Sequence, residues 1–456
     1  MKNYDIVVLG SGPGGYVAAI KAAQLGKKVA IVEKEKTLGG ICLNHGCIPT
    51  KAILKSTKTY DTLLNAESYG LKVDKSAVSF DLKDIIKRKD GVVKQLTGGV
   101  QFLMKKNKID VINGYGEAIS ATELQVGNET LKTKNLIIAT GGTAIVPGIP
   151  GAKEAYEKGF AVTSKELLTV TKLPKELVIV GGGVIGNEFA SIFNSLGSKV
   201  TIIEMAENII GTMDQEVIDA YGKKLAKDGI EIITKAAVTN VGTKDVTYEK
   251  DGKTHKVPAD LVLIAVGIAP NTDAVSKLGL EMDGRGIKVN NKMETSVKGV
   301  YAIGDVTGKY MLAHVASAEG IVAVENIVLN ANKEVNYDQI PSAIYGSPEI
   351  AMIGLTEREA KAKGIKYTVT KFPIAGNGKA LADGEKEGFV KIIKGTELDE
   401  ILGAHIYAYN AVDILAEVGV AMKLESTNLE LSEVVHAHPS LSEAVMEAAM
   451  DKPIHI

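Results

Sequence analysis

Two stretches of this chain repeat one pattern: an apolar run, a glycine-rich turn, a helix of small residues and a second apolar run closed by an acid. The first reads Asp5–Leu9, then Gly10-Ser11-Gly12-Pro13-Gly14-Gly15, an alanine-rich segment to Gly26, and Val29–Glu33. The second reads Leu177–Val180, then Gly181-Gly182-Gly183-Val184-Ile185-Gly186, a segment to Gly197, and Val200–Glu204. Twenty-three positions separate Gly10 from Glu33, and the same number separates Gly181 from Glu204. A parallel strand that feeds a helix in this way aims the free amides and partial positive charge of the helix N-terminus at a pyrophosphate. Gly10 and Gly181 make the turn, Gly12 and Gly183 keep side chains away from the phosphate, and Gly15 and Gly186 let helix and strand pack. Glu33 and Glu204 are placed to accept from ribose hydroxyls and to repel a 2'-phosphate, so the second site is expected to take NAD rather than NADP. A lone turn of this kind is weak, because a plain glycine-rich connection looks the same. Here its full context occurs twice.

The 456 residues suffice for roughly three domains of about 150 each. Forty-eight glycines exceed the average share and ask for tight turns or close approach to ligands. A net charge of -2 offers no basic footprint for nucleic acid or anionic lipid. The N-terminus enters a strand-like run directly, unlike a signal peptide, and no apolar run is long enough to span a bilayer, so a cytoplasmic protein is expected. Residues 51–106 read as helical and 109–137 as short strands, with Leu136–Gly142 closing the first unit. Pro147–Gly151 mark a boundary, the second unit ends at Leu261–Gly267, and beyond Pro341 the pattern changes to alternating strands and a helix-rich end.

The only two cysteines stand in Cys42-Leu43-Asn44-His45-Gly46-Cys47, five positions apart, with Pro49 marking a helix start near Cys47. A helix dipole there favours the thiolate, the reactive form. A metal site would need a further pair of ligands that the segment does not supply. His45 could tune the thiols, although an idle, exposed loop histidine is the plainer expectation. Near the end stands His436-Ala437-His438-Pro439-Ser440-Leu441-Ser442-Glu443. Histidine suits deprotonation of a thiol at neutral pH, and Glu443 could orient it, yet alone such a pair is as easily an ordinary surface contact.

In order along the chain, these motifs are joined by Lys51, Ala139-Thr140-Gly141, Glu188, Ala302-Ile303-Gly304-Asp305 and Leu312-Ala313-His314. With this series the whole chain resembles the pyridine nucleotide-disulfide oxidoreductases. The form of residues 436–444 is more similar to the branch that oxidises dihydrolipoamide than to the glutathione reductase branch. The resemblance implies an α/β chain with two Rossmann-like dinucleotide-binding domains and a C-terminal α+β dimerisation domain. Residues 1–147 and a central segment, 271–340, would form the FAD domain, 148–270 the NAD domain and 341–456 the interface.

The resemblance further implies that Cys42 is the thiol attacked by substrate, Cys47 the thiolate against the flavin, and His438, oriented by Glu443, the acid/base group. For FAD it carries over Gly10, Gly12, Gly15, Glu33, Cys42, Lys51, Gly116, Thr140, Gly141, Gly142, Asp305, Met311, Leu312, Ala313 and His314. For NAD it carries over Gly181, Gly183, Val184, Ile185, Gly186, Glu188, Glu204, Val238 and Gly267, and it places Lys51 beside Glu188. The implied reaction oxidises protein-bound dihydrolipoamide and reduces NAD+. The implied assembly is a homodimer, in which the histidine of one subunit completes the site of the other. The lipoyl group would arrive on a partner from a 2-oxo acid dehydrogenase or glycine-cleavage system, and neither metal, nucleic acid nor membrane is called for.

Two departures stand out: His45 replaces an apolar residue, and Ser440 a threonine. The alternatives are a glutathione-reductase-like enzyme, against which Glu204-Met205-Ala206-Glu207 speaks, and a mainly structural subunit of such a complex. The tail 451–456 has no cysteine, which argues against branches that use a second, terminal thiol pair.

Overall fold

The computed structural model describes residues 2–450, so the tail 451–456 and the expectation drawn from it lie outside the described residues. The apolar runs of the first repeat form neighbouring parallel strands, Lys2–Leu9 and Val29–Glu33. Asp110–Asn113 extends the sheet beyond the second run, and Glu129–Ile138 lies beside the first. Glu123–Val126 and Gly116–Ser120 follow antiparallel, and Val300–Ala302 returns after the whole second repeat to pair with Leu136–Ile138. The core of these strands is apolar without alternation, with Ile6, Val7 and Val8 buried, because helices cover both faces of such a sheet.

The second repeat builds the same arrangement: Glu231–Ile233, Lys199–Ile203, Glu176–Val180, Leu261–Ile264 and Ala161–Val162, all parallel. A three-stranded antiparallel sheet, Ala237–Val241, Asp245–Lys250 and Lys253–Pro258, is appended to it. The antiparallel strands Gly142–Ala144 and Ile268–Pro270 join the two units at their exits.

The helix Pro13–Gln24 lies along Ala313–Leu329, and small residues set how near they come. A Cβ on Gly14 would fall 2.9 Å from the Ala316 carbonyl oxygen, and one on Gly320 2.8 Å from that of Gly14. The contact therefore brings residues 311–314 to the first glycine turn.

The C-terminal sheet is antiparallel, in the order Ser342–Ile344, Glu349–Gly354, Ile401–Ala408, Phe389–Gly395, Tyr367–Pro373. Helices Ala411–Lys423 and Glu443–Ala449 bury Leu415, Val418, Ala444, Val445 and Ala448 against one side of it. Ile350, Phe389 and Tyr407 pack instead with Phe189 and Tyr221 of the second repeat. Among the described residues no helix is long and apolar enough to cross a membrane.

A buried ion cluster ties these two parts together. Lys391, with 1% of its side chain exposed, places Nζ 2.8 Å from Asp214, 3.1 Å from Glu216 and 2.6 Å from Glu357. The three carboxylates stand near enough together to hold a cation, and the Lys391 ammonium is that cation. Burial disfavours the charge on Lys391, but the carboxylates outweigh it and hold its pKa above the usual lysine range. Lys391→Met leaves the buried Asp214 charge without its partner and is expected to destabilise the folded protein by about 3–5 kcal/mol. Urea denaturation followed by circular dichroism checks this, and an unchanged midpoint would refute it.

Candidate active site

Both glycine turns divide their glycines between two uses. Gly10 (φ +105°) and Gly181 (φ +107°) occupy backbone conformations that side chains disfavour, and a Cβ there would press on the Ala139 or Ala265 carbonyl oxygen at 2.2 and 2.4 Å. A Cβ on Gly15 would lie 2.0 Å from the Gly10 oxygen, and one on Gly186 2.3 Å from the Gly181 oxygen. The chain's own packing therefore demands glycine at all four. Gly12 and Gly183 differ: a Cβ on either meets nothing within 4 Å, and neither φ requires glycine. These two are the N-caps of Pro13–Gln24 and Val184–Ser195, and neither helix start has a side-chain cap. By contrast, Asp81 and Asp214 cap their helices with carboxylates. Open space before uncapped helix amides, twice, fits two pyrophosphates.

The strand-end acids make contacts that the sequence reading did not foresee. Glu33 accepts from the Ser11 amide at 3.0 Å and hydroxyl at 2.6 Å, and from the Glu35 amide at 2.8 Å. Glu204 accepts from the Gly182 amide at 2.6 Å and the Ala206 amide at 2.7 Å. Each acid thus staples its turn, while carboxylate lone pairs remain for ribose.

Around the first turn gather the ends of the neighbouring strands. Gly116 opens its strand against Leu9 and Val32. Thr140 donates to the Asn271 carbonyl at 2.6 Å, and Asn271 returns a bond to the Thr140 carbonyl at 3.1 Å. Gly141 follows with φ +68°, and a Cβ on Gly142 would lie 3.5 Å from that of Asp305. Burial holds the Asp305 carboxyl above its usual range. Behind it, Glu319, wholly buried, accepts from the Gly304 amide at 2.6 Å and the Tyr337 hydroxyl at 2.7 Å. Glu319 escaped the sequence reading, although an acid within the apolar helix Ala313–Leu329 was a usable signal. Met311 and Leu312 lead into that helix, which begins at Ala313, and His314 Nε2 lies 2.9 Å from the Pro341 carbonyl oxygen.

At the second turn, Val184 and Ile185 stand on the first turn of their helix, both over a third exposed. Val238 lies on the strand Ala237–Val241, and Gly267 takes φ +127° where the Leu261–Ile264 strand leaves the sheet.

Cys42 lies in the short helix Gly40–His45, and Cys47 starts the helix Cys47–Leu64. Both are free thiols, Cys42 half-buried and Cys47 exposed. The Cys42 thiol donates to the Cys47 sulfur, which with burial raises its own pKa well above the usual thiol value. The same hydrogen bond lowers Cys47 to about 7, against burial and with help from Lys51. The pair is thus unequal, with Cys47 the more acidic member.

Lys51 Nζ donates to both oxygens of the buried Glu188 at 2.8 Å and lies 4.4 Å from the centre of the Tyr345 ring. The Tyr345 amide also donates to Glu188, at 3.1 Å, so all three parts of the chain meet at one ion pair. His45 is not an exposed loop residue: it ends Gly40–His45 half-buried, and burial, with Lys165 nearby, depresses its pKa.

His438 is placed elsewhere. Its Nδ1 lies 2.9 Å from Glu443 Oε1, and Glu443 Oε2 accepts from the Ser440 amide at 2.7 Å. Burial works against the charge on Glu443, but that amide and His438 outweigh it and hold the carboxyl below its usual range. The His438 side chain is 80% exposed. Among the described residues no hydrogen bond or ion pair joins it to Cys42 or Cys47.

Residues 4–320 match the family described as pyridine nucleotide-disulphide oxidoreductase, and 340–449 match that family's dimerisation domain. The chain belongs to this family of FAD-dependent enzymes that use NAD(H). It is 58% identical to the dihydrolipoyl dehydrogenase of Acholeplasma laidlawii over 74% of this chain and 99% of that protein. It is 43% identical to the Bacillus subtilis dihydrolipoyl dehydrogenase over 99% of each. Among solved structures it is similar to the HOCl-induced flavoprotein disulfide reductase RclA of Escherichia coli, with 28% identity and a TM-score of 0.87 over 98% of this chain and 99% of that one.

Proposed function

We propose that this chain oxidises dihydrolipoamide carried on a lipoyl-bearing protein and reduces NAD+. The observation that carries this reading is the unequal cysteine pair beside the first glycine turn, in which Cys42 and Lys51 make Cys47 the more acidic thiol. The likeness to dihydrolipoyl dehydrogenases of two bacteria supports the choice of substrate. When bound, FAD takes up the electron pair of the dithiol and NAD+ carries it away as hydride.

Starting from the oxidised pair, His438 takes the proton of one substrate thiol, and the thiolate attacks Cys42 Sγ. The Cys42–Cys47 bond breaks and Cys47 leaves as a thiolate. The second substrate sulfur, its proton lost to solvent, then attacks the first and breaks the bond to Cys42, which leaves with the proton held on His438. The products are lipoamide, a Cys42 thiol and a thiolate on Cys47, the more acidic member of the pair. Lys51, held in place by Glu188, draws Cys47 toward its thiolate.

On this reading residues 1–147 and 271–340 hold FAD through the FAD residues named above, and 148–270 hold NAD. Residues 341–456 form a homodimer interface across which His438 serves the partner's cysteines; the exposure of its ring accords with that. The enzyme works in the cytoplasm, and its lipoyl substrate comes on a 2-oxo acid dehydrogenase or glycine-cleavage partner.

The test is the anaerobic absorbance spectrum of the holoenzyme with dihydrolipoamide, followed by NAD+. Flavin bands, a long-wavelength thiolate-to-flavin band and prompt NADH formation are expected. A flavoprotein that forms the band with NADH but ignores dihydrolipoamide would move the substrate to another disulfide. A protein that binds no FAD would end the reading.

A further inference from the structure

His436 is left without a task by this mechanism, yet the structure holds it more tightly than His438. Only 6% of its side chain is exposed, and both ring nitrogens face acceptors. Nδ1 lies 2.8 Å from the Val434 carbonyl oxygen, and Nε2 lies 3.0 Å from Glu417 Oε2, on the helix Ala411–Lys423. A carbonyl oxygen can only accept, so Nδ1 carries a hydrogen. The Nε2 contact then needs a second hydrogen, on the ring or on the carboxyl, because a bare nitrogen facing a carboxylate is repelled. Histidine and glutamate together therefore hold one proton more than a neutral ring and a carboxylate would. Burial favours this by raising the Glu417 carboxyl above its usual range.

We infer that His436 is a positioning residue, which with Glu417 forms a clamp closed by one shared proton and thereby fixes the segment 434–438 that presents His438. This rests on the reading of His438 as the acid/base group. The polar groups facing the clamp are Ser442, which lowers the Glu417 carboxyl somewhat against its burial, and Glu443, whose carboxyl the His436 ring helps to hold low. Glu417 Oε1 is buried and has no hydrogen-bond partner among the described residues. Raising the pH removes the shared proton and leaves the ring a single hydrogen for two acceptors, so one of its two ties, to Val434 or to Glu417, is lost. The thiol half-reaction then slows while reduction by NADH does not.

Three variants of the holoenzyme test this across a pH series, with dihydrolipoamide oxidation and NADH-driven reduction of an artificial acceptor read side by side. His436→Ala is expected to lower kcat for dihydrolipoamide about tenfold by misplacing His438, leaving the acceptor reaction unchanged. Glu417→Gln can donate an amide hydrogen to Nε2 with no shared proton. It is expected to stay within about twofold of the parent kcat at neutral pH and to lack the parent's alkaline loss. If His436→Ala fails to fold, Glu417→Gln and the parent spectrum decide alone: nitrogen-15 histidine NMR of the parent should show both His436 nitrogens hydrogen-bonded at neutral pH. A bare Nε2 in that spectrum, or an alkaline limb unchanged in Glu417→Gln, overturns the clamp. His438→Gln separates the two ideas, since full activity there removes His438 as the base while the NMR result still judges the clamp.

Discussion

Cys47→Ser leaves a folded, FAD-binding protein that no longer passes electrons from dihydrolipoamide to NAD+, its kcat falling below about one part in 10⁴ of the parent. Serine fits, because Cys47 is exposed at the first position of its helix and packs into no core. What is lost is the acceptor of the pair: without a second sulfur, no disulfide forms at Cys42 and the substrate thiolate has no bond to break. The half of the cycle that starts from NADH does not require the pair, so reduction of an artificial acceptor by NADH should persist. That split separates a chemical loss from a folding defect. In the parent, the long-wavelength band of the two-electron-reduced enzyme should grow as the pH rises through about 7, where the Cys47 thiol gives up its proton. Cys47→Ser should show no such band at any pH. Retention of even a tenth of the parent's NAD+-linked activity would sink the relay.

The second large effect belongs to His438. Removing a positioned general acid/base costs about 10²- to 10⁴-fold, and His438→Gln is expected in that range for dihydrolipoamide oxidation. Exposure of the ring argues that folding tolerates the change. Glu443→Gln should cost less, since an amide still accepts from Nδ1 but no longer balances a charged ring. Because the Glu443 carboxyl is held below its usual range, the pair persists as the pH falls through that range and fails only beneath it. A steady-state series over pH for both variants checks the order of the losses. If His438→Gln retained kcat within about threefold, the base would have to be sought elsewhere.

How much of this could be read from residues alone follows from how local each feature is. The turns at Gly10–Gly15 and Gly181–Gly186 were legible because one strand, one turn and one helix determine them, and the glycines carry the constraint in their identities. The nearness of Cys42 and Cys47 was legible for the same reason, since a single turn of chain joins them. Contacts made by docking were not. Tyr345 reaches Lys51, and Lys391 reaches Asp214, across distances in sequence over which no periodicity runs. His436 and His438 are two apart and look alike in the sequence, yet one is clamped and the other exposed. The difference lies in Glu417, on a separate helix. Solvent-exposed His45 was a wrong expectation because its neighbours, Lys165 and Glu166, come from the other repeat.

The strand Val300–Ala302 closes beside Leu136–Ile138 only after the entire second repeat has intervened. On a ribosome this reverses the order of completion. The second unit begins later but has its last strand once Ile264 has emerged, whereas the first must wait for Ala302 with Leu136–Ile138 lacking their neighbour. Those three residues, at most 1% exposed in the finished protein, form a bare parallel edge throughout that interval. A message truncated between the two strands would therefore release a chain whose later sheet has all its strands and whose earlier sheet keeps a bare, sticky edge, a substrate for chaperones or for aggregation.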